Sequence, residues 1–152
     1  MHSQEPAAEE DRLISDRLNR YRYKISLRVW HPSMDPARIS ATLGLSPSRL
    51  WRAGEPRSTP TGRLLKGERA ETYWYAQISA GTEADTELGA AISKAIDRLM
   101  PNKAFFHQIR AEGGKAEFFI GWFFEGQSGD TFDCDLLGRL SDIKIDLALD
   151  IY

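Results

Sequence analysis

Residues 21–30, YRYKISLRVW, alternate strictly between two kinds of side chain. One set is apolar or aromatic, and the other, which runs from Arg22 to Trp30, is mostly basic. Because successive side chains of a strand point to opposite faces of a sheet, this pattern predicts a strand with one buried face and one polar face. The rest of the chain must therefore supply neighbouring strands and a layer that covers a single face of the sheet.

Three helices are predicted from their boundaries and their apolar spacing. Asp35 is placed to cap a helix whose first position is Pro36 and whose end is Gly44. Residues 85–100 carry apolar side chains every three or four positions, which is typical of an amphipathic helix. Residues 131–143 show the same spacing and predict a third helix.

Further strands are predicted on composition and alternation. Residues 72–79 are rich in aromatic side chains, and residues 143–152 alternate. Residues 103–126 are interpreted as a hairpin that turns at Gly113 and Gly114, because paired glycines between alternating runs are typical of a two-residue turn. The second strand of this hairpin is apolar on both faces, so we expect it to lie inside the sheet.

These elements define a fold class. Residues 45–71 have no sustained period and are interpreted as a long loop, so the last six elements follow the ferredoxin-like order β-α-β-β-α-β, preceded by an extra β-α unit. We expect an α+β fold with a mixed, mainly antiparallel sheet and helices on one face. Residues 21–152 are expected to form one domain, and residues 1–20 a flexible tail with a short helix.

Charge and composition argue against several partners and locations. The net charge of −2 gives no basic footprint for nucleic acid. No apolar run is long enough to span a bilayer, and the acidic start of the chain is unlike a signal peptide. The single cysteine forms no intramolecular disulfide. We therefore expect a cytoplasmic protein that binds neither nucleic acid nor membrane.

The residues that most often carry catalysis are scattered. His2, His31 and His107 are not paired at metal-ligand spacing, and His107 is interpreted as a residue of a sheet face. Cys134 lies between two aspartates, which disfavour its thiolate, so it is interpreted as buried or unreactive. We expect no catalytic residue, no metal site and no cofactor, which favours a binding protein over an enzyme.

One loop does not resemble ordinary scaffold. Residues 45–57, LSPSRLWRAGEPR, combine a tryptophan with arginines and a glutamate. Trp51 either pins this loop to the domain while its polar neighbours make local contacts, or forms part of a site where forked arginine donors bind an anionic group. The residues predicted to form such a site are Trp51, Arg52, Glu55, Arg57, Trp74 and Tyr152. Trp74 or Tyr152 is expected to close it.

An aromatic sheet face is a second candidate surface. Tyr73 and Tyr75 point away from Trp74, and Phe119 and Phe123 share their face if the strand registers agree. Some ferredoxin-like domains stack RNA bases on such a face, but this chain is acidic and lacks the aromatic signature of those domains. A protein-contact surface, or a face covered by the N-terminal segment, is favoured instead.

The loop and the C-terminus together resemble a bacterial domain-of-unknown-function family. The similarity covers residues 21–152 and rests on LGLSPSRLWRAGEPR and on the ending LALDIY. The matching positions are Leu43, Gly44, Pro47, Trp51, Gly54, Asp150 and Tyr152. The resemblance implies a small α+β domain and brings no activity, substrate or catalytic residue with it.

Two functions stay open. The first is a cytoplasmic binding or protein-interaction module, of which immunity proteins that occlude another protein are one kind. The second is a domain that binds a small anionic ligand, or acts on one, through the loop with Trp51 and its arginines.

Overall fold

The computed structural model describes residues 8–9 and 21–152. The predicted tail and short helix of residues 1–20 lie outside the described residues, apart from 8–9. The first half of the domain contains the elements β1 (Tyr21–His31), α1 (Pro36–Leu43), β2 (Arg49–Trp51), β3 (Pro56–Ser58), β4 (Leu64–Glu68) and β5 (Thr72–Thr82). The second half contains α2 (Leu88–Leu99), a 3-10 turn (Met100–Asn102), α3 (Lys103–Ala111), β6 (Lys115–Phe124), α4 (Cys134–Ile143) and β7 (Ile145–Ile151).

Four strand pairings build one five-stranded sheet in the order β2-β5-β1-β6-β7. Every neighbouring pair is antiparallel except β6 and β7, which are parallel and connected through α4. Strands β3 and β4 form a separate two-stranded hairpin. The predicted α+β class with a mixed, mainly antiparallel sheet is confirmed, and β6 lies inside the sheet as expected.

The hydrophobic core lies between one face of the sheet and the helices. The alternation of β1 places Ile25, Leu27 and Val29 in this core at 0% exposure, and Trp74 lies beside Val29 in the register with β5. The helix residues that complete the core are Ile39, Leu88, Ile92, Ile96, Phe106, Ile109, Leu136, Leu140 and Ile143. Within residues 21–152, every helix packs on this core side, and none covers the opposite face of the sheet.

The caps of α1 form as the sequence predicts. The Asp35 carboxylate accepts a hydrogen bond from the Ala37 backbone N–H at 3.0 Å, and Pro36 starts the helix. Gly44 ends it in the left-handed conformation with φ 64°. The predicted helix over residues 85–100 is also observed, as α2, with its apolar stripe buried.

The predicted hairpin over residues 103–126 is wrong, because its first half is helix α3. Phe105, Phe106 and Ile109 are buried on one side of that helix. Gly113, with φ 89°, donates its backbone N–H to the Arg110 carbonyl, and Gly114 donates to the Ile109 carbonyl. These two bonds form a Schellman motif, so the paired glycines end a helix and do not turn a hairpin.

The loss of this strand removes the ferredoxin-like order, since β5 is followed by two helices before β6. The long loop predicted over residues 45–71 is also wrong in part, because it contains β2, β3 and β4. Strand β2 is only three residues long and is defined by its pairing with β5. Three residues are too few to show an alternation of apolar and polar side chains in the sequence. No helix in the described part of the chain is long and apolar enough to cross a membrane.

Candidate functional site

The open side of the sheet, which we call the open face, carries aromatic and basic side chains in adjacent rows. Strand registers place Trp51, Tyr73, Trp30 and Lys115 in one row across four strands. The next row holds Arg49, Tyr75, Arg28 and Glu117 in the same manner. The predicted face with Tyr73, Tyr75, Phe119 and Phe123 is therefore observed, and the two edge strands extend it.

Cationic groups lie over aromatic rings across this face. The shortest pairs join Arg28 to the Phe119 ring at 3.7 Å and Arg69 to the Trp51 ring at 3.8 Å. Three longer pairs are Lys115 over Trp30 at 4.4 Å, Arg49 over Trp51 at 5.1 Å and Arg22 over Phe123 at 5.4 Å. All five lie on one side of the sheet, so this face brings cations and aromatic rings together at one surface.

The middle of the open face is ordered by polar contacts. Ser26 is 3% exposed and donates its hydroxyl to the Tyr75 oxygen at 3.1 Å. The Arg28 guanidinium lies 3.7 Å from the Glu117 carboxylate, while its Nε is buried without a hydrogen-bond acceptor among the described residues. A buried donor without an acceptor costs free energy, so an added acceptor would stabilise this point of the face.

Trp51 forms one corner of the open face. It is the last residue of β2, opposite Tyr73 of β5, and the two ring centroids are 4.6 Å apart. Arg69, which follows the β3–β4 hairpin, reaches the Trp51 ring and also donates to the Ser58 carbonyl at 2.7 Å. Trp51 thus anchors the hairpin to the sheet and stays half-buried.

Arg52 points to a different surface from Trp51. Its Nη1 lies 3.3 Å from the Asp35 carboxylate, and both side chains are half exposed. Arg52, Asp35 and Glu55 line an open groove of about 690 Å³ beside α1. With two carboxylates and one guanidinium, this groove is poorly suited to an anionic ligand.

The remaining predicted site residues lie apart from one another. Arg57 is exposed in β3 and donates to the Lys66 carbonyl at 3.3 Å within the hairpin. Trp74 is 0% exposed in the core, where its indole N–H donates to the Ser40 hydroxyl at 3.0 Å. Tyr152 stacks on Phe123 with centroids 4.8 Å apart, next to the other edge strand. The structure therefore does not bring these residues together around Trp51.

Two tyrosines of the open face have a pKa above the ordinary tyrosine value. Burial raises the pKa of Tyr73 above its ordinary value, against a smaller lowering by the Arg28 charge. A hydrogen bond to the Asp150 carboxylate at 2.6 Å raises the pKa of Tyr152. Both hydroxyl groups therefore act as neutral hydrogen-bonding groups at neutral pH.

His31, His107 and Cys134 make no reactive cluster among the described residues, and His2 lies outside them. His31 is 5% exposed at the end of β1, where its Nδ1 accepts the backbone N–H groups of Ser33 and Met34. His107 lies on α3 and contacts the Asp142 carbonyl, so its predicted place on a sheet face is wrong. Cys134 is exposed at the start of α4, which corrects the expectation of burial. Among residues 8–9 and 21–152, no three metal-ligand side chains cluster.

Sequence reasoning named only part of the open face as a site. Arg28, Arg49 and Arg69 were not predicted to contribute, although alternation places Arg28 on the polar side of β1. That alternation is the signal that could have identified it. Arg49 and Arg69 reach the face only because β2 pairs with β5, and no local pattern predicts this pairing.

Comparison with known proteins gives a family and no activity. Residues 21–152 match a family described as a domain of unknown function (DUF4279). No curated protein and no solved structure gives a significant match.

Proposed function

Because the chain belongs to the DUF4279 family, whose description names no activity, we propose a function from geometry: a module that binds an acidic surface of a protein partner through its open face. The observation that carries the proposal is the set of cations placed over aromatic rings on that face. Tryptophan, tyrosine and arginine dominate the binding energy of protein interfaces, and all three are concentrated here.

Charge favours an acidic protein as the partner. The chain has a net charge of −2, yet cations outnumber carboxylates on the open face. The cations are Arg22, Lys24, Arg28, Arg49, Arg69 and Lys115, and the carboxylates are Glu117, Asp146 and Asp150. The face also carries carboxylates, which can pair with basic groups on a protein surface of mixed charge, whereas a phosphate backbone offers no such groups, so a protein is favoured over nucleic acid. Complementary charge of this kind speeds association and selects the partner.

Occlusion of another protein, as immunity proteins perform it, is one form of this function. In that form the captured partner loses its own activity when the domain is added in equal amount. A cytoplasmic location, the absence of a cofactor and the absence of catalysis are part of the same proposal.

The test is affinity capture from the native host's lysate with two matched charge-reversal variants. The first double variant, Lys24→Glu with Arg49→Glu, reverses two charges on the open face. The control double variant, Lys94→Glu with Arg98→Glu, reverses two charges on the exposed side of α2. We expect one protein to be retained by the wild type and by the α2 variant and lost by the open-face variant. Its retention should also fall with rising salt, because exposed charges are screened.

Two other outcomes decide against the proposal. A partner retained equally by both variants places the binding surface elsewhere. The second outcome is that no protein partner is captured, and that the wild type releases a small anion which an Arg52→Ala variant does not. This outcome favours the hypothesis of a small-ligand site in the groove beside α1. Equal melting temperatures of all variants show that folding does not cause the difference.

A further inference from the structure

The free edge of β7 is a second surface, and it carries backbone N–H and C=O groups that do not pair with another described strand. In the described part of the chain β7 pairs with β6 alone. The Tyr152 N–H donates to the Trp122 carbonyl and the Tyr152 carbonyl accepts from Phe124, so residue 152 points its backbone toward β6. The backbone N–H and C=O groups of successive residues point to opposite edges of a strand. The residues whose backbone groups point to the free edge are therefore Ile145, Leu147, Leu149 and Ile151.

The side chains of β7 on the helix side are covered unevenly. Ile145 is 3% exposed beneath α4, whereas Leu149 is 41% and Ile151 57% exposed beyond the end of that helix. A groove of about 530 Å³ follows the covered half and includes Leu137, Leu140, Ile145 and Leu147 in its lining. One half of the edge therefore presents projecting apolar side chains, and the other half presents a groove.

Charges distinguish the ways in which two copies of this edge can pair. An antiparallel pairing centred on Ala148 places Asp146 opposite the partner's Asp150, and like charges in that position are destabilising. A pairing centred on Leu147 instead brings the partner's Asp150 next to Lys144, which ends α4 in the left-handed conformation just before β7. It also places Asp146 opposite the partner's Ala148, so Asp146 keeps its 3.0 Å ion pair with Arg110.

The same register matches the apolar side chains. Ile145, above the groove, comes opposite the partner's Leu149, which is one of the two side chains that project without cover. By the two-fold axis, the partner's groove receives Leu149 in the same way. Each exposed half of the edge thus meets a helix-covered half of the other copy.

We propose that the protein forms a two-fold symmetric dimer in which β7 pairs antiparallel with the partner's β7, with Leu147 on the axis. The five-stranded sheets join into one, and the outward backbone groups of Leu147 bond to those of the partner's Leu147. The pairing uses the backbone edge and the helix side of β7, so the joined sheet presents the open faces of both copies on one side.

Cysteine cross-linking tests the register, in a Cys134→Ser background that removes the natural thiol. Residues 146 and 148 form a pair without backbone hydrogen bonds in the proposed register, where the Cα atoms are about 4.5 Å apart and a disulfide can form. We expect a mixture of Asp146→Cys and Ala148→Cys proteins to cross-link upon mild oxidation, and neither protein to cross-link alone. Ala148→Cys cross-linking alone would place Ala148 on the axis and overturn the proposed register.

Sedimentation of unmodified protein and of a Leu149→Lys variant gives the second measurement. Leu149 is 41% exposed, so lysine there is compatible with the folded monomer. In the dimer it would bring a cation into the partner's groove, whose lining includes Arg110 and Lys144, so like charges would meet there. We expect twice the monomer mass for the wild type and the monomer mass for the variant. A wild type that stays monomeric at high concentration, or a variant that still dimerises, contradicts the proposal.

Discussion

Thr72 holds the start of β5 to two other segments, and its hydroxyl can be removed with little change of shape. The side chain is 0% exposed. Its Oγ1 donates to the Met34 carbonyl at 2.6 Å and accepts the Ala53 N–H at 3.1 Å. The segments before α1 and after β2 therefore meet at one hydroxyl group, directly behind the corner of the open face.

Thr72→Val replaces the hydroxyl by a methyl group and leaves both partners without this bond. The Met34 carbonyl is buried, and the Ala53 N–H is partly buried. An unsatisfied buried group costs about 1–3 kcal/mol, so we expect the free energy of unfolding to fall by about 2–4 kcal/mol. Thr72→Ser keeps the hydroxyl and loses one methyl group, which costs about 1 kcal/mol.

Urea unfolding followed by tryptophan fluorescence measures the difference between these two variants. We expect Thr72→Val to unfold at lower urea than Thr72→Ser, with an unchanged slope of free energy against urea. If the valine variant is as stable as the serine variant, the hydroxyl does not hold these segments together, and the reasoning is refuted.

Three further predictions concern the elements that frame the sheet. Gly114→Ala drives a Cβ into the Trp30 carbonyl oxygen and should destabilise the protein by about 2 kcal/mol. The control Gly138→Ala meets no heavy atom within 4 Å and should stabilise α4 by up to about 1 kcal/mol, and urea midpoints measure both variants. Asp133→Ala removes the N-cap of α4 and should lower stability by about 1 kcal/mol, and a loss of helix content without a shift of the urea midpoint would contradict this. Burial raises the pKa of Tyr21, so its contribution to the free energy of unfolding should be fully present below the ordinary tyrosine pKa. The free energy of unfolding should fall as pH rises above about 10, because the unfolded chain ionises there before the folded one. A constant urea midpoint across that range would count against this prediction.

The parts of the fold that sequence predicts are those whose signals are local. The alternation of β1 and the apolar stripe of α2 each lie within one element. The capping residues Asp35 and Gly44 bound α1 for the same reason, because capping depends on side chains within a few residues of the helix end. Such elements need no knowledge of what packs against them.

The α3 segment shows where local signals conflict. Phe105, His107 and Ile109 alternate as in a strand, while Phe105, Phe106 and Ile109 are spaced as in a helix. A run this short satisfies both periods. The deciding contacts are the bonds at Gly113 and Gly114, which exist only when the helix is already formed.

The open face could be predicted only in part, because its rows depend on registers between distant strands. Tyr73 and Phe119 share a face by alternation within their own strands. These residues share a face with Trp51 only because β2 pairs with β5 at the edge of the sheet. That pairing involves only three residues of β2. Pairings of such short strands come from the tertiary structure and not from propensity.

Trp51 anchors the β3–β4 hairpin, and in the proposed function it is also a contact for the partner. Trp74 is fully buried in the core, whereas Trp51 stays half-buried with Arg69 over its ring. Cation-ring attraction grows from about 0.5–1 kcal/mol at exposed sites to about 2 kcal/mol when water is excluded. A partner that covers the open face would therefore also tighten the attachment of the β3–β4 hairpin. Binding and hairpin order should be coupled, so hydrogen exchange of the hairpin amides should slow in the complex.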